Sequence, residues 1–147
     1  DEAIAERISV EVAPNIPPVM ADYLQLQRVV CNLLSNAVKY SPAGTPIHLR
    51  AHTGDRGDTL VVEVQDHGSG IPAAELDMVF EKFYRSSHNA RGGRSGSGLG
   101  LAICRAIMFA HGGTISVASE VGAGSTFRFE LPFQPDDKEL APAHANS

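Results

Sequence analysis

Among the 147 residues of this chain, no apolar run approaches the roughly 20 that a helix needs to span a bilayer. No signal-peptide pattern opens it either, so the expected setting is cytosolic. Cysteine is scarce. Cys31 and Cys104 are the only two and form no Cys-x-x-Cys pair, which excludes a disulfide framework and a thioredoxin-like redox motif. Both thiols fall on expected helices and are read as reduced and buried. There is no excess of basic residues: the formal net charge of −5 argues against a nucleic-acid partner. Acid is missing locally. From Lys82 to Ser119 there is no Asp or Glu, while Lys82, Arg85, Arg91, Arg94 and Arg105 all fall there. Such a segment in an acidic chain suits a site for a polyanion, although a solvated basic loop has the same composition.

The composition that remains is that of an ordinary globular domain. Hydrophobic residues make up 43% and charged residues 20%, and the length suits one domain. The stretch Asn32-Leu33-Leu34-Ser35-Asn36-Ala37-Val38-Lys39-Tyr40 is the most informative. It reads as an amphipathic helix, yet Asn in a helix interior costs about 0.5–0.7 kcal/mol against Ala, because its amide competes with the backbone bonds. At about 100° per residue, Asn32, Asn36, Lys39 and Tyr40 share one arc, beside an expected core stripe of Leu26, Val30, Leu33 and Ala37. By itself the polar strip is equally a solvated face or a ligand-binding face.

Two later segments weigh on that choice. Leu60-Val61-Val62-Glu63-Val64-Gln65-Asp66 is a β-branched apolar run ending in a carboxylate, and His67-Gly68-Ser69-Gly70-Ile71-Pro72 turns it. In Gly96-Ser97-Gly98-Leu99-Gly100-Leu101-Ala102-Ile103, glycines open an apolar segment of helical period. Glycines at a helix start let backbone amides approach a ligand, and the helix N-terminus favours anions. The pattern is neither the P-loop nor the dinucleotide fingerprint.

The remaining elements read simply. Ile8–Val12 alternates as a half-buried strand. A helix capped by Asp22 runs to Tyr40, where Ser41-Pro42-Ala43-Gly44 turns the chain. Ile47–Ala51 and Leu60–Asp66 pair as a hairpin, and Ala73–Val79 is a short helix after Pro72. Leu99 to about His111 is a helix closed by Gly112-Gly113, and Thr114–Ala118 and Ser125–Leu131 form a closing hairpin. Ser86–Ser97, polar and glycine-rich, is expected to be mobile without ligand. Residues 1–133 form the expected domain and 134–147 a polar, disordered tail. Five strands and three helices predict a two-layer α/β sandwich with a mixed sheet.

In this order and register the segments resemble the catalytic, ATP-binding domain of sensor histidine kinases, in the GHKL (Bergerat-fold) superfamily. Asn32–Tyr40 looks like the N box, Asp66–Gly70 like the G1 box, Phe80–Arg85 like the F box and Gly96–Leu101 like the G2 box. The likeness runs from about Ile8 to Pro132. It implies ATP and Mg²⁺ as cofactors, with Asn36 as the metal ligand, Lys39 on the phosphates and Tyr40 near the ribose or base. It also implies that Asp66 accepts from the adenine amino group, that Thr126 holds a water shared with that carboxylate, and that Gly68, Gly70 and Ile71 line the base. Phe80 and Phe83 anchor the start of an ATP lid over Ser86–Ser97. Arg85, with Arg91 and Arg94 behind it, reaches the γ-phosphate, and Gly96, Gly98, Leu99 and Gly100 offer amides to the phosphates.

Position 32 bears on the reaction. In the ATP-hydrolysing relatives a Glu there activates water, and Asn32 cannot accept a proton at neutral pH. The resemblance therefore implies transfer to a histidine on a separate dimerisation domain within a homodimer, then to a response regulator, with Asn32, Lys39 and Arg85 catalytic. None of the six histidines here sits in the acceptor setting, so the acceptor domain lies outside this chain. Two rivals stay open: a hydrolysing ATPase of the superfamily, and a nucleotide-sensing pseudokinase. A metal site on His48 and His52 is rejected for want of a third ligand. The setting is cytoplasmic, which allows the cytoplasmic part of a membrane-bound sensor.

Overall fold

In a computed structural model, residues 2–84 and 99–133 are described. A four-residue helix α1 (Glu2–Ala5) leads into β1 (Ile8–Val12), followed by helix α2 (Tyr23–Tyr40), β2 (Ile47–Thr53) and β3 (Thr59–Gln65). A 3₁₀ helix (Ala73–Met78), α3 (Gly100–Ala110), β4 (Thr114–Glu120) and β5 (Gly124–Pro132) complete the order. The strands form one sheet in the order β1-β2-β3-β5-β4. β1 pairs with β2 in parallel and every other pair is antiparallel, so the sheet is mixed as expected.

Helix α2 begins where the Asp22 carboxylate accepts the Gln25 N–H at 3.1 Å, supplying one of the bonds the first turn lacks. It ends at Ser41, whose extended backbone is the conformation a following proline enforces. Its fully covered stripe is Val29, Leu33 and Ala37, four residues apart. That moves the stripe one position from the expected one, since Leu26 and Val30 are only partly buried at its margin. The reason is the second helix: α3 packs against α2, and Cys104 brings its sulfur to 3.9 Å from the Val29 carbonyl.

Strand alternation then builds two unlike faces. Toward the helices point Leu60, Val62 and Val64 of β3 and Phe127, Phe129 and Leu131 of β5, packed on Leu33, Ile107 and Met108. Away from them lie Glu11 and Arg50 at 3.8 Å, His52 and Glu63 at 3.0 Å, and Arg128 and Glu130 at 2.7 Å. Val61 belongs to that polar face and is nonetheless fully covered, between its register neighbours His52 and Glu130. Long polar side chains cover apolar surface with their stems. One sheet face is packed and the other carries the charges.

Four expectations are corrected. α1 was not foreseen, being shorter than any periodicity can report. The β2 and β3 hairpin runs from Ile47 to Thr53 and from Thr59 to Gln65, leaving Asp66 just beyond the strand. Cys31 is exposed, and only Cys104 is buried; position 31 lies two residues from the Val29–Leu33 stripe and turns outward. Phe83 does not anchor the core: it is 71% exposed, in a turn where its φ is +65°. Phe80 alone does so, edge-on to Phe127. Ser86–Ser97 and the tail 134–147 lie outside the described residues.

Candidate functional site

The site gathers at one end of the sandwich, where β3 stops, α2 ends and α3 begins. Asp66 leaves the sheet still bonded to it, its N–H donating to the Ser125 carbonyl at 2.8 Å. Its side chain is 6% exposed. Oδ1 accepts the Gly68 N–H at 2.8 Å and the Ser125 N–H at 3.2 Å. Oδ2 has no such bond among the described residues. Desolvation raises the carboxyl above its ordinary value, and the two amide bonds only partly oppose it. A buried carboxylate with one oxygen held by backbone and the other free is a fixed acceptor for a ligand donor.

Glycines make the approach possible at the backbone. A Cβ on Gly68 would stand 2.5 Å from the Tyr40 carbonyl, so the turn after β3 passes directly against the end of α2. Gly70, with φ of +80°, would place a Cβ 2.2 Å from the Glu120 carbonyl, and Gly124 would place one 2.2 Å from the Asp66 carbonyl. The turn after β3 is therefore wedged between α2 and the β4–β5 turn.

From α2 come Asn32, Asn36, Lys39 and Tyr40, all half-buried, on the arc the sequence indicated. Asn32 donates from Nδ2 to the Gly100 carbonyl at 3.3 Å. It thereby joins α2 to the first turn of α3, with Leu99 just before it. Ser41, next to Tyr40, buries its Oγ completely and without a partner among the described residues. The loop that follows is held by Arg7, whose guanidinium donates to the Thr45 carbonyl at 2.9 Å and the Pro42 carbonyl at 3.2 Å.

These features fit an adenine nucleotide: a fixed buried acceptor on a turn held tightly between α2 and the β4–β5 turn, and an orphaned hydroxyl at the end of α2. The neutral amide of Asn36 and the Lys39 ammonium are the donor types that Mg²⁺ and phosphates take. Tyr40, Asp66, Gly68, Gly70 and Ile71 come together as the sequence indicated. Phe83 stands apart from the core, and Arg85, Arg91, Arg94, Gly96 and Gly98 lie outside the described residues.

Thr126 is not brought to Asp66. Its register partner is Gln65, so alternation puts it on the polar sheet face, while Ser125 sits beside the carboxylate. The signal was in the sequence: Phe127 as a core residue obliges residue 125, two back, to share its face. Ser119 and Arg7 were also missed, because Ser119 bonds Ile71 across 48 residues and Arg7 bonds Thr45 across 38.

The model of the family described as "Histidine kinase-, DNA gyrase B-, and HSP90-like ATPase" matches residues 21–135. This chain belongs to that family. Its curated relatives include the alginate biosynthesis sensor protein KinB of Pseudomonas aeruginosa, 37% identical over 89% of this chain and 21% of KinB. The adaptive-response sensory kinase SasA of Synechococcus elongatus is 38% identical over 86% of this chain and 32% of SasA. The chain thus spans between a fifth and a third of these two proteins. Among solved structures, a mycobacterial sensor histidine kinase MprB superposes with a TM-score of 0.76 at 35% identity, covering 91% of this chain and 90% of that one. Full-length ShkA in complex with AMPPNP superposes with a TM-score of 0.72 at 33% identity, covering 89% of this chain and 27% of ShkA. The histidine-kinase catalytic-domain fold expected from the boxes is the fold observed.

Proposed function

We propose that this histidine-kinase catalytic domain binds Mg·ATP and that, in its parent protein, it phosphorylates a histidine on a dimerisation domain outside this chain. A response regulator would then take the phosphoryl group. The observation that carries the reading is Asp66: buried, anchored through Oδ1 by two amides and free at Oδ2, on a turn whose glycines let it pack against α2 and the β4–β5 turn. Asp66 accepts from an exocyclic amino group, which adenine has at that edge and guanine lacks. Ile71, packed beneath the turn, flanks the base. The complex of ShkA with AMPPNP supports the nucleotide class.

When bound, ATP supplies the phosphoryl group and Mg²⁺ neutralises the charge around it. Asn36 offers the metal a neutral amide oxygen. Lys39 and the basic stretch from Arg85 to Arg94 balance the phosphates, and Arg85 stabilises charge as it redistributes during transfer. Amides at Gly96, Gly98, Leu99 and Gly100 bind phosphate at the start of α3. Asn32 withholds a base from water, which favours transfer over hydrolysis, and its bond to Gly100 keeps α2 and α3 in register around the phosphates.

Calorimetric titration with a non-hydrolysable ATP analogue, with and without Mg²⁺, tests this. Micromolar-range binding is expected, on the order of −8 kcal/mol, strengthened by Mg²⁺ in the unsubstituted protein and not in Asn36→Ala. Absence of binding under both conditions would sink the reading.

A further inference from the structure

Ser119, at the end of β4, uses its whole hydrogen-bonding capacity across the junction beneath the base site. Its Oγ accepts the Ile71 N–H at 2.8 Å, donates to the Gly124 carbonyl at 3.0 Å and lies 2.7 Å from the Ser125 Oγ. A hydroxyl has one proton and two acceptor lone pairs. With Gly124 taking the proton, Ile71 and Ser125 fill both lone pairs. The three partners are parts of the proposed adenine site: Ile71 flanks the base, Gly124 packs on the Asp66 carbonyl, and Ser125 donates its N–H to Asp66 Oδ1.

We infer that Ser119 is a positioning residue for adenine recognition, holding the turn after β3 on the β4–β5 turn so that Asp66 Oδ2 and Ile71 keep a fixed spacing. The inference rests on the nucleotide reading above and adds to it a selectivity determinant that touches no ligand. Two further observations point the same way. Gly122 donates its N–H to the Ser69 carbonyl at 2.8 Å, and Gly70 packs on the Glu120 carbonyl. The two turns thus meet at several points, and the Ser119 side chain bonds to both. Ile71 is buried, so without Ser119 its N–H loses its partner in a place water reaches poorly. Such a donor draws the turn toward other acceptors and moves the spacing it had kept.

Affinities of the whole chain for non-hydrolysable ATP and GTP analogues, both with Mg²⁺, test the inference in Ser119→Ala, Ser119→Cys, Ser119→Thr and Asp66→Asn. Melting curves on the same samples identify folded protein, and Cys, close to Ser in size but a poor acceptor, serves if the Ala variant does not fold. In Ala and Cys, affinity for the ATP analogue should fall roughly tenfold, the scale of one net hydrogen bond, with little change for the GTP analogue. Thr, which keeps the hydroxyl, should stay near the unsubstituted protein. If Ala and Cys retain selectivity while Asp66→Asn abolishes it, or if both analogues weaken equally, the inference about Ser119 is overturned and the nucleotide reading stands. If the unsubstituted protein has no adenine preference, both fall together.

Discussion

On the proposed reading, Asp66 is a side chain set for a ligand at the expense of the fold. Burial raises its carboxyl above the ordinary value, so the native state holds the proton more tightly than the unfolded chain does. Its contribution to stability is therefore fully present below the unfolded value and is lost as pH rises through the folded one. Asp66→Asn keeps an oxygen for the Gly68 and Ser125 amides and removes the desolvated charge. At neutral pH its melting temperature should equal or exceed that of the unsubstituted protein, while affinity for an ATP analogue drops at least tenfold; a lower melting temperature would contradict the account. His52 is raised as well, in its case because its partners favour the charged form. Bonds to the Thr53 carbonyl, and then to Glu63, raise its value. The stability it adds is complete below about pH 6.5, its ordinary value, and disappears as pH rises through the raised one. NMR titration should find His52 above that ordinary value, and Glu63→Gln should bring it down.

Helix α2 is the element on which site and core meet, one on each side of the same 18 residues. Its stripe of Val29, Leu33 and Ala37 fixes its rotation against the sheet, which leaves Asn36, Lys39 and Tyr40 half-buried beside that stripe. Leu33→Ala should cost about 2–5 kcal/mol, the range for a deleted core leucine, read as a lower urea midpoint with unchanged slope. Phe109→Ala on α3 should cost under about 0.5 kcal/mol, since that ring is 85% exposed. At the helix end, Gly68→Ala should weaken nucleotide binding more than its cost in stability explains. Its Cβ would push against the Tyr40 carbonyl, displacing the last turn of α2 from Asp66; calorimetry and melting on the same sample separate the two effects.

For the whole molecule, the packed face of the sheet carries the helices, and the candidate nucleotide site lies where β3 and α2 end. On the proposed reading, Asn32 in place of the hydrolytic Glu makes the phosphoryl acceptor the deciding partner. The chain alone should release little phosphate from ATP. Mixed with the His-bearing dimerisation domain of its parent, it should form an acid-labile phosphohistidine, and Asn32→Ala should slow that step by at least tenfold. Rapid phosphate release by the chain alone would instead favour the hydrolysing ATPase.

Much of this was legible along the chain because it is written locally. The alternation of β1, the capped period of α2, the apolar run into Asp66 and the glycines before α3 each report on neighbours within a few residues. Together they determined the two-layer sandwich and pointed to Tyr40, Asp66, Gly68, Gly70 and Ile71 as one candidate site. What lay beyond reach depends on contacts between distant segments. The choice of Val29 over Val30 for the stripe waited on the packing of α3. Phe83 turned outward because a reversal with positive φ carries it away from the core. Ser125 replaced Thr126 beside Asp66 because strand register decides which face a residue joins, and a shift of one residue exchanges the faces. The Ser119 hydroxyl bridges two turns separated by 48 residues of sequence. A periodicity can orient a residue on its own element, whereas only the assembled sheet decides what that residue faces.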